Sequence, residues 1–397
     1  MKSKVAIIKC TSYQVSQVKE AISRGIALMG GLEALIPPTD KLLLKPNVLN
    51  KAIPEKAVTT HPAVFEAVIN ILQDAGYDNL SYGDSPGNPL PPEKVAETCG
   101  LKQVGDLYQL PFADFSHGKT VNFPQGKFTK QFEISNGALE ADSIINICKM
   151  KTHALMRITG GVKNLLGCVY GFNKGMSHAK FPTPDDFGKM LVDLSLCLKP
   201  KLHILDGITA MEGNGPFSGT PIQMNVILVS TDPVALDSVF CKLIHVDPLS
   251  IPTIKYGEAF GLGKWRDEDL ELLGDPIDNL INEKFQVSKE SLETDKWKFL
   301  SGLRAPLMKK PVILSNKCIK CGACVEACPI KDPDGGNSPA HRKEIALYFK
   351  SQQAETEKEA PVYNYKKCIR CYCCQEMCPA KAIEVKTPLL GKLLIYH

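Results

Sequence analysis

Cys318-Ile-Lys-Cys321-Gly-Ala-Cys324-Val-Glu-Ala-Cys328-Pro329 returns fifty residues later as Cys368-Ile-Arg-Cys371-Tyr-Cys-Cys374-Gln-Glu-Met-Cys378-Pro379. Each stretch is a C-x2-C-x2-C-x3-C-P run, the spacing that holds a cubane [4Fe-4S] cluster. Three cysteines at two-residue gaps sit on one tight loop and aim their thiolates at one cube. The fourth follows on a short helical turn and points elsewhere. Pro329 and Pro379 turn the chain away and carry no N–H that would need a partner. Asn316-Lys-Cys-Ile-Lys-Cys aligns without gaps on Lys366-Lys-Cys-Ile-Arg-Cys, so the pattern is an internal repeat. Structural zinc normally uses separated C-x2-C pairs with four ligands per site, a poor match to these runs. The spacing implies one-electron chemistry in a reducing compartment.

The paired runs resemble two-cluster ferredoxins, in which the fourth cysteine of each run ligates the other cluster. Carried over by matching residues, the resemblance implies one cluster on Cys318, Cys321, Cys324 and Cys378, and another on Cys368, Cys371, Cys374 and Cys328. Cys373 is an extra thiol where the first run has Ala323. It reads either as a small buried filler or as a spare ligand or redox tuner.

The chain has 397 residues and a net charge of +4. From residue 311 onward there are 13 Lys+Arg against 9 Asp+Glu, and before it 34 against 34. The excess therefore lies beside the clusters, whose thiolate-bound form is anionic. It reads as compensation for them and not as a nucleic-acid footprint. The N-terminal apolar run is too short for a signal peptide. No stretch approaches the roughly 18 apolar residues of a membrane helix. Cys10, Cys99, Cys148, Cys168, Cys197 and Cys241 are scattered and read as reduced thiols of a cytoplasmic protein. The apolar tail from Pro388 reads as packing onto the body.

Residues 1–280 alternate short apolar runs with amphipathic stretches. Val5–Ile8, Leu42–Lys45, Leu80–Tyr82, Ser143–Ile147, Leu202–Leu205 and Asn225–Val229 read as strands. Val15–Met29, Pro62–Ala75, Asp185–Leu198 and Pro233–Ile244 read as helices. This alternation implies βαβ units, hence an α/β fold with a mostly parallel, helix-covered sheet. Leu272-Leu-Gly-Asp-Pro resembles a turn. Residues 281–312 read as a connection. Residues 313–397 form a small α+β ferredoxin domain with an insert at about 330–366, in which 332–337 signal a turn, 340–350 read as a helix and 352–359 as a polar, mobile stretch.

In parallel α/β sheets, ligands bind beyond the carboxyl ends of the strands. Polar residues recur there: Lys45 and Asn47, Asp84 within Gly83–Gly87, Lys149, Lys151 and His153 at period two, then Asp206 and Asn214. Gly160 and Gly161 precede a helix-like run containing Lys163 and Asn164, and Lys174 and His178 follow. Glycines at a helix start favour an anion, so these residues are expected to line a site for a phosphate or carboxylate. Taken singly, His61 and Asp232 read as helix caps and Asp84 as a turn residue.

The stretches Lys45-Pro-Asn47, Gly83-Asp84-Ser85-Pro86-Gly87, Lys149-x-Lys151-x-His153, Gly160-Gly161-x-Lys163-Asn164 and Ser230-Thr-Asp-Pro-Val-Ala-Leu-Asp237 resemble domain-of-unknown-function family 362, often fused to a two-cluster ferredoxin. The resemblance implies an architecture and little chemistry. His153 with Gly160-Gly161-x-Lys163 is also similar to a segment of the lactate racemase family that helps hold a nickel-pincer nucleotide, with a departure at Val162.

The expected function is a reductase: low-potential electrons arrive from a redox partner protein and pass through two [4Fe-4S] clusters to a small anionic substrate or cofactor. Lys149, Lys151, His153 and Asp84 would be catalytic. Lys45, Asn47, Gly160, Gly161, Lys163, Asn164, Lys174, His178, Asp206 and Asn214 would bind a cofactor of unknown organic nature. The alternatives are an electron carrier or sensor whose α/β domain only binds a ligand or partner, and a racemase- or lyase-like enzyme with structural clusters. No G-x-G-x-x-G opens the first βα unit and no P-loop is present.

Overall fold

The computed structural model describes residues 1–87, 90–171, 173–287, 308–331, 343–350 and 359–389, with the side chains of Asn173 and Lys174 set aside. The chain forms two compact units, Met1–Lys174 with Asp185–Val287, and Gly175–Pro184 with Ser288–His397.

The strands are β1 (Ser3–Lys9), β2 (Leu42–Pro46), β3 (Leu80–Tyr82), β4 (Gly118–Asn122), β5 (Gln131–Ser135), β6 (Ser143–His153), β7 (Arg157–Thr159), β8 (Leu202–Glu212), β9 (Thr220–Ser230), β10 (Leu270–Gly274), β11 (Lys310–Ile313), β12 (Leu347–Tyr348), β13 (Val362–Tyr363) and β14 (Ile383–Lys386). The first unit is built on an eight-stranded sheet of order β10-β1-β9-β8-β6-β2-β3, with β7 paired to β6. The pairs β1–β10, β2–β3, β2–β6 and β6–β8 are parallel. β9 runs against both of its neighbours, β1 and β8. The sheet is thus mostly parallel, but β8 and β9 form a hairpin where alternation alone would place a βαβ crossover. The stretch at Leu272, expected as a turn, belongs to edge strand β10.

Helices cover the sheet because its strands are apolar on both sides. Ala6 and Ile8 of β1, Ile145 and Ile147 of β6 and Ile227 and Val229 of β9 share one core with helices Val15–Leu28 and Pro62–Asp74. Helix Pro233–Leu243 packs on β1, β8 and β9. Asp232 caps that helix, its Oδ1 accepting from the Val234 and Ala235 N–H groups at 2.8 and 3.0 Å. All eleven residues of β6 are buried. A strand so enclosed tolerates polar side chains only where each finds a partner.

The second unit repeats itself. β11 pairs antiparallel with β14, and β12 with β13. The short helices Ala323–Glu326 and Cys373–Glu376 occupy equivalent places in the two cysteine runs. The backbone repeats as well: Lys320 and Gly322 are left-handed at φ 62° and 81°, and Arg370 and Tyr372 at 59° and 65°. The segment expected as a helix over 340–350 carries strand β12, and Asn364 N–H donating to Ala346 O helps join it to β13. Most of the expected connection (288–307), the turn expected over 332–337, the polar stretch over 352–359 except Glu359, and the apolar tail from Pro388 except its first two residues lie outside the described residues.

Candidate functional site

The polar residues at the strand ends form two networks, one on each face of the sheet, where the sequence suggested a single site. Lys149 and Asp206 are register partners on β6 and β8 and lie on the face covered by helices Val15–Leu28 and Pro62–Asp74. Lys149 Nζ reaches Asp206 Oδ2 at 2.7 Å, and both side chains are buried. Tyr13, just before the first of those helices, donates from its hydroxyl to Asp206 Oδ1 at 2.9 Å and accepts from Lys149 Nζ and the Thr209 N–H, each at 3.0 Å. The Tyr13 and His61 rings stack at 3.5 Å between centroids. His61 caps the second helix, accepting the Ala63 N–H on Nδ1 at 3.2 Å, and gives its own N–H to Asp206 Oδ2 at 3.0 Å. Asp206 is therefore the anion at that helix start.

Charge follows packing in this network. Burial, then the Asp206 carboxylate, push the Tyr13 phenol up to about 12. Burial pulls His61 down to about 4, so its ring is neutral. Burial opposes the charge on Lys149, but Asp206 and Tyr13 together raise its pKa.

Lys45, Asn146 and His203 are register partners and define the second network. Lys45 Nζ lies 2.9 Å from Asp84 Oδ1 with both side chains buried, and Asp84 Oδ2 accepts the Val48 N–H at 2.6 Å. A Cβ at Gly167 would fall 1.7 Å from Asp84 Oδ1, so only glycine leaves room for this pair. Asn146 Nδ2 contacts His203 Nδ1 at 2.9 Å and donates to Gly161 O at 2.7 Å. Burial takes His203 down to about 3, leaving a neutral ring that accepts this bond.

Asn47 ties Lys151 to the second network, which Asn164 enters by donating from Nδ2 to Asn146 Oδ1 at 2.7 Å. Asn47 Nδ2 donates to Asn164 Oδ1 at 2.9 Å, while its Oδ1 accepts from Lys151 Nζ at 2.6 Å. Lys151 Nζ also donates to Val58 O at 2.6 Å.

Several expected roles change in this setting. Gly160 and Gly161 do not offer an open anion cradle. The Gly161 and Val162 N–H groups donate to the two oxygens of Asp237 at 2.6 and 3.2 Å. A Cβ at Gly160 would lie 2.0 Å from Asp237 Oδ1, so this glycine makes room for the chain's own carboxylate. His153 Nδ1 accepts the Leu155 and Met156 N–H groups at 3.0 and 3.2 Å, closing the β6–β7 hairpin. Asp84 is the counter-ion of Lys45. Lys163 is half-buried in helix Gly161–Asn164, and Asn214 is half-buried beyond β8. His178 is buried on helix Asn173–Lys180, in a segment belonging to the second unit. The Lys174 side chain lies outside the described residues. Tyr13 was not anticipated, although its place just past β1 is itself a strand carboxyl end.

In the second unit, one cavity of about 330 Å³ is lined by Cys318, Cys321, Cys324 and Cys378. A second, of about 320 Å³, is lined by Cys328, Cys368, Cys371 and Cys374. Each set draws its fourth thiol from the other run, the crossed pattern that the ferredoxin resemblance implied. Among the described residues no three His, Cys, Asp or Glu side chains gather closely enough for a single metal ion. Four thiols gathered around one cavity suit a cubane, and the residues present fit the group.

Residues 42–242 match the family described as Domain of unknown function (DUF362), and residues 310–379 match a 4Fe-4S dicluster domain. The chain is 34% identical over 268 residues to "Thylakoid-associated protein sll1697" of Synechocystis sp., covering 66% of this chain and 81% of that protein. The lactate racemase apoprotein from Thermoanaerobacterium thermosaccharolyticum overlaps 59% of this chain and 55% of its own, about half its length, at a TM-score of 0.36 and 13% identity. At those values the likeness transfers no chemistry. Among the described residues no helix is long and apolar enough to cross a membrane. The α/β sheet, the family match over half the chain and the thiol-lined C-terminal unit agree: this is an iron–sulfur protein that belongs to the DUF362 family and carries a 4Fe-4S dicluster domain of ferredoxin type.

Proposed function

We propose that this chain is a reductase that takes low-potential electrons from a redox partner protein through two [4Fe-4S] clusters and delivers them to a small anionic substrate or cofactor on the α/β unit. The observation that carries this reading is the division of eight thiols into two cavities, each lined by four. A cluster in each supplies one electron at a time.

The chain's own residues supply the rest. A group that gains electrons gains basicity, and Tyr13 holds a proton on its hydroxyl between Lys149 Nζ and Asp206. Lys149, Lys151 and Lys163 bring positive charge to the strand ends. Six of the remaining cysteines, Cys10, Cys99, Cys148, Cys168, Cys241 and Cys373, are buried thiols without a disulfide, which suits a reducing cytoplasm.

The internal pairing of Lys45 with Asp84 and of Lys149 with Asp206 favours a second reading. In it the α/β unit only binds a ligand or partner, and the clusters carry electrons between proteins.

The two readings separate in one anaerobic experiment. The protein is photoreduced, mixed with fractions of a metabolite extract, and cluster absorbance is followed. Reoxidation by a small-molecule fraction, slowed about a hundredfold in Tyr13→Phe, supports the reductase. Reoxidation by redox proteins alone, at equal rates in both forms, supports the carrier.

A further inference from the structure

The two cysteine runs align in sequence, and two of the positions at which they and their flanks differ bear on the thiols. Tyr363 stands five residues before Cys368, at the place Ile313 holds before Cys318. Each lines the cavity of its own run. The Tyr363 hydroxyl lies 3.2 Å from Cys374 Sγ, and Ile313 has no donor to offer the equivalent Cys324. Cys373 stands where the first run has Ala323. Its thiol is buried, next to Cys374 and two residues from Cys371 in the chain. Both differences therefore put a side chain that carries a hydrogen donor beside the same set of ligands, that of the cavity lined by Cys328, Cys368, Cys371 and Cys374. At the first cavity the Ala382 N–H donates to Cys378 Sγ at 3.2 Å, and Cys321 is exposed.

A hydrogen bond to a cluster sulfur draws negative charge off it and favours the form with the extra electron. We propose that Tyr363, assisted by Cys373, makes the Cys328/Cys368/Cys371/Cys374 cluster the more easily reduced of the pair, so that an electron arriving at the cluster of exposed Cys321 passes to it and rests there. The inference rests on the two-cluster electron-transfer reading. One electron leaves a one-electron donor protein and one is gained by the chain's cluster pair. No covalent bond breaks, and Tyr363 and Cys373 keep their protons.

The test is a potentiometric titration of the full-length holoprotein, followed by electron paramagnetic resonance, with iron content measured on every sample. Wild type is expected to show two one-electron midpoints. Tyr363→Phe should make the higher one harder to reduce by about tenfold in equilibrium, about 59 mV, and leave the lower one in place. Cys373→Ala should move the same midpoint in the same direction, and Cys373→Ser should restore it. Ile313→Tyr should raise the other midpoint, which guards against a poorly folding Tyr363 variant. Coincident midpoints in wild type, or a Tyr363→Phe variant with full iron content whose higher midpoint is unmoved, would overturn the inference. Failure of the electron-transfer reading looks different: the iron would be present, but neither cluster would take up an electron from any donor.

Discussion

Asp237 has no solvent and two amide donors, and these pull its acidity in opposite directions. Burial raises its carboxyl, the Gly161 and Val162 N–H groups lower it, and the result lies at about 7 against an ordinary 3.8. The fold therefore favours the protonated acid. That contribution is complete below the ordinary value and is lost as pH rises through about 7. His61 has the opposite sign: its folded value of about 4 lies below the ordinary 6.5, so its contribution is present above 6.5 and fades as pH falls towards 4. Comparing wild type with Asp237→Asn cancels the histidine. The variant should gain stability relative to wild type as pH rises from about 4 to about 7, read from urea midpoints. An unchanged difference across that range would mean that Asp237 is ionised throughout. These couplings were not legible in the sequence. Polar residues at strand ends could be picked out, but their partners lie far along the chain, as with Lys149 and Tyr13, and no local spacing pairs them.

Among the elements, those with a clear apolar period were readable within a few residues, because burial dictates both the composition and the period. β10 was not, since only Leu270 of its five residues is buried, and an edge strand exposed to this degree leaves little period to read. The β4–β5 hairpin was missed for the same reason: none of the five β4 residues is buried. The reversal at β9 is also invisible to composition, because a central strand is apolar whichever way it runs. One helix acts as an anchor for a distant loop. Asp193, buried in helix Pro184–Leu198, accepts the N–H groups of Lys127, Phe128 and Thr129 at 2.8, 2.7 and 2.6 Å. Asp193→Ala should cost about 3 kcal/mol in a denaturant titration and make the loop before β5 the first site of proteolytic cleavage. A variant as resistant as wild type would show that water replaces the carboxylate.

At the scale of the whole molecule, the two units rely on different interiors. The first has a continuous aliphatic core. In the second, Cys324, Cys328, Cys374 and Cys378 supply much of the buried cluster alongside Ala346, Leu347, Ala382 and Ile383. Stripping iron with a chelator should therefore expose residues from 308 onward to protease while a fragment of the α/β unit survives, as followed by gel and by loss of visible absorbance. Equal resistance with and without iron would show that apolar packing alone holds the second unit. The crossed lining of the two cavities has a further consequence, in the order of synthesis. The second cavity gains its last thiol when Cys374 is made, and the first waits four residues more for Cys378, although its other three thiols were made some fifty residues earlier. Neither half can mature alone on the ribosome. A nonsense codon just before Cys368 would leave four cysteines of the first run translated and both four-thiol sets incomplete.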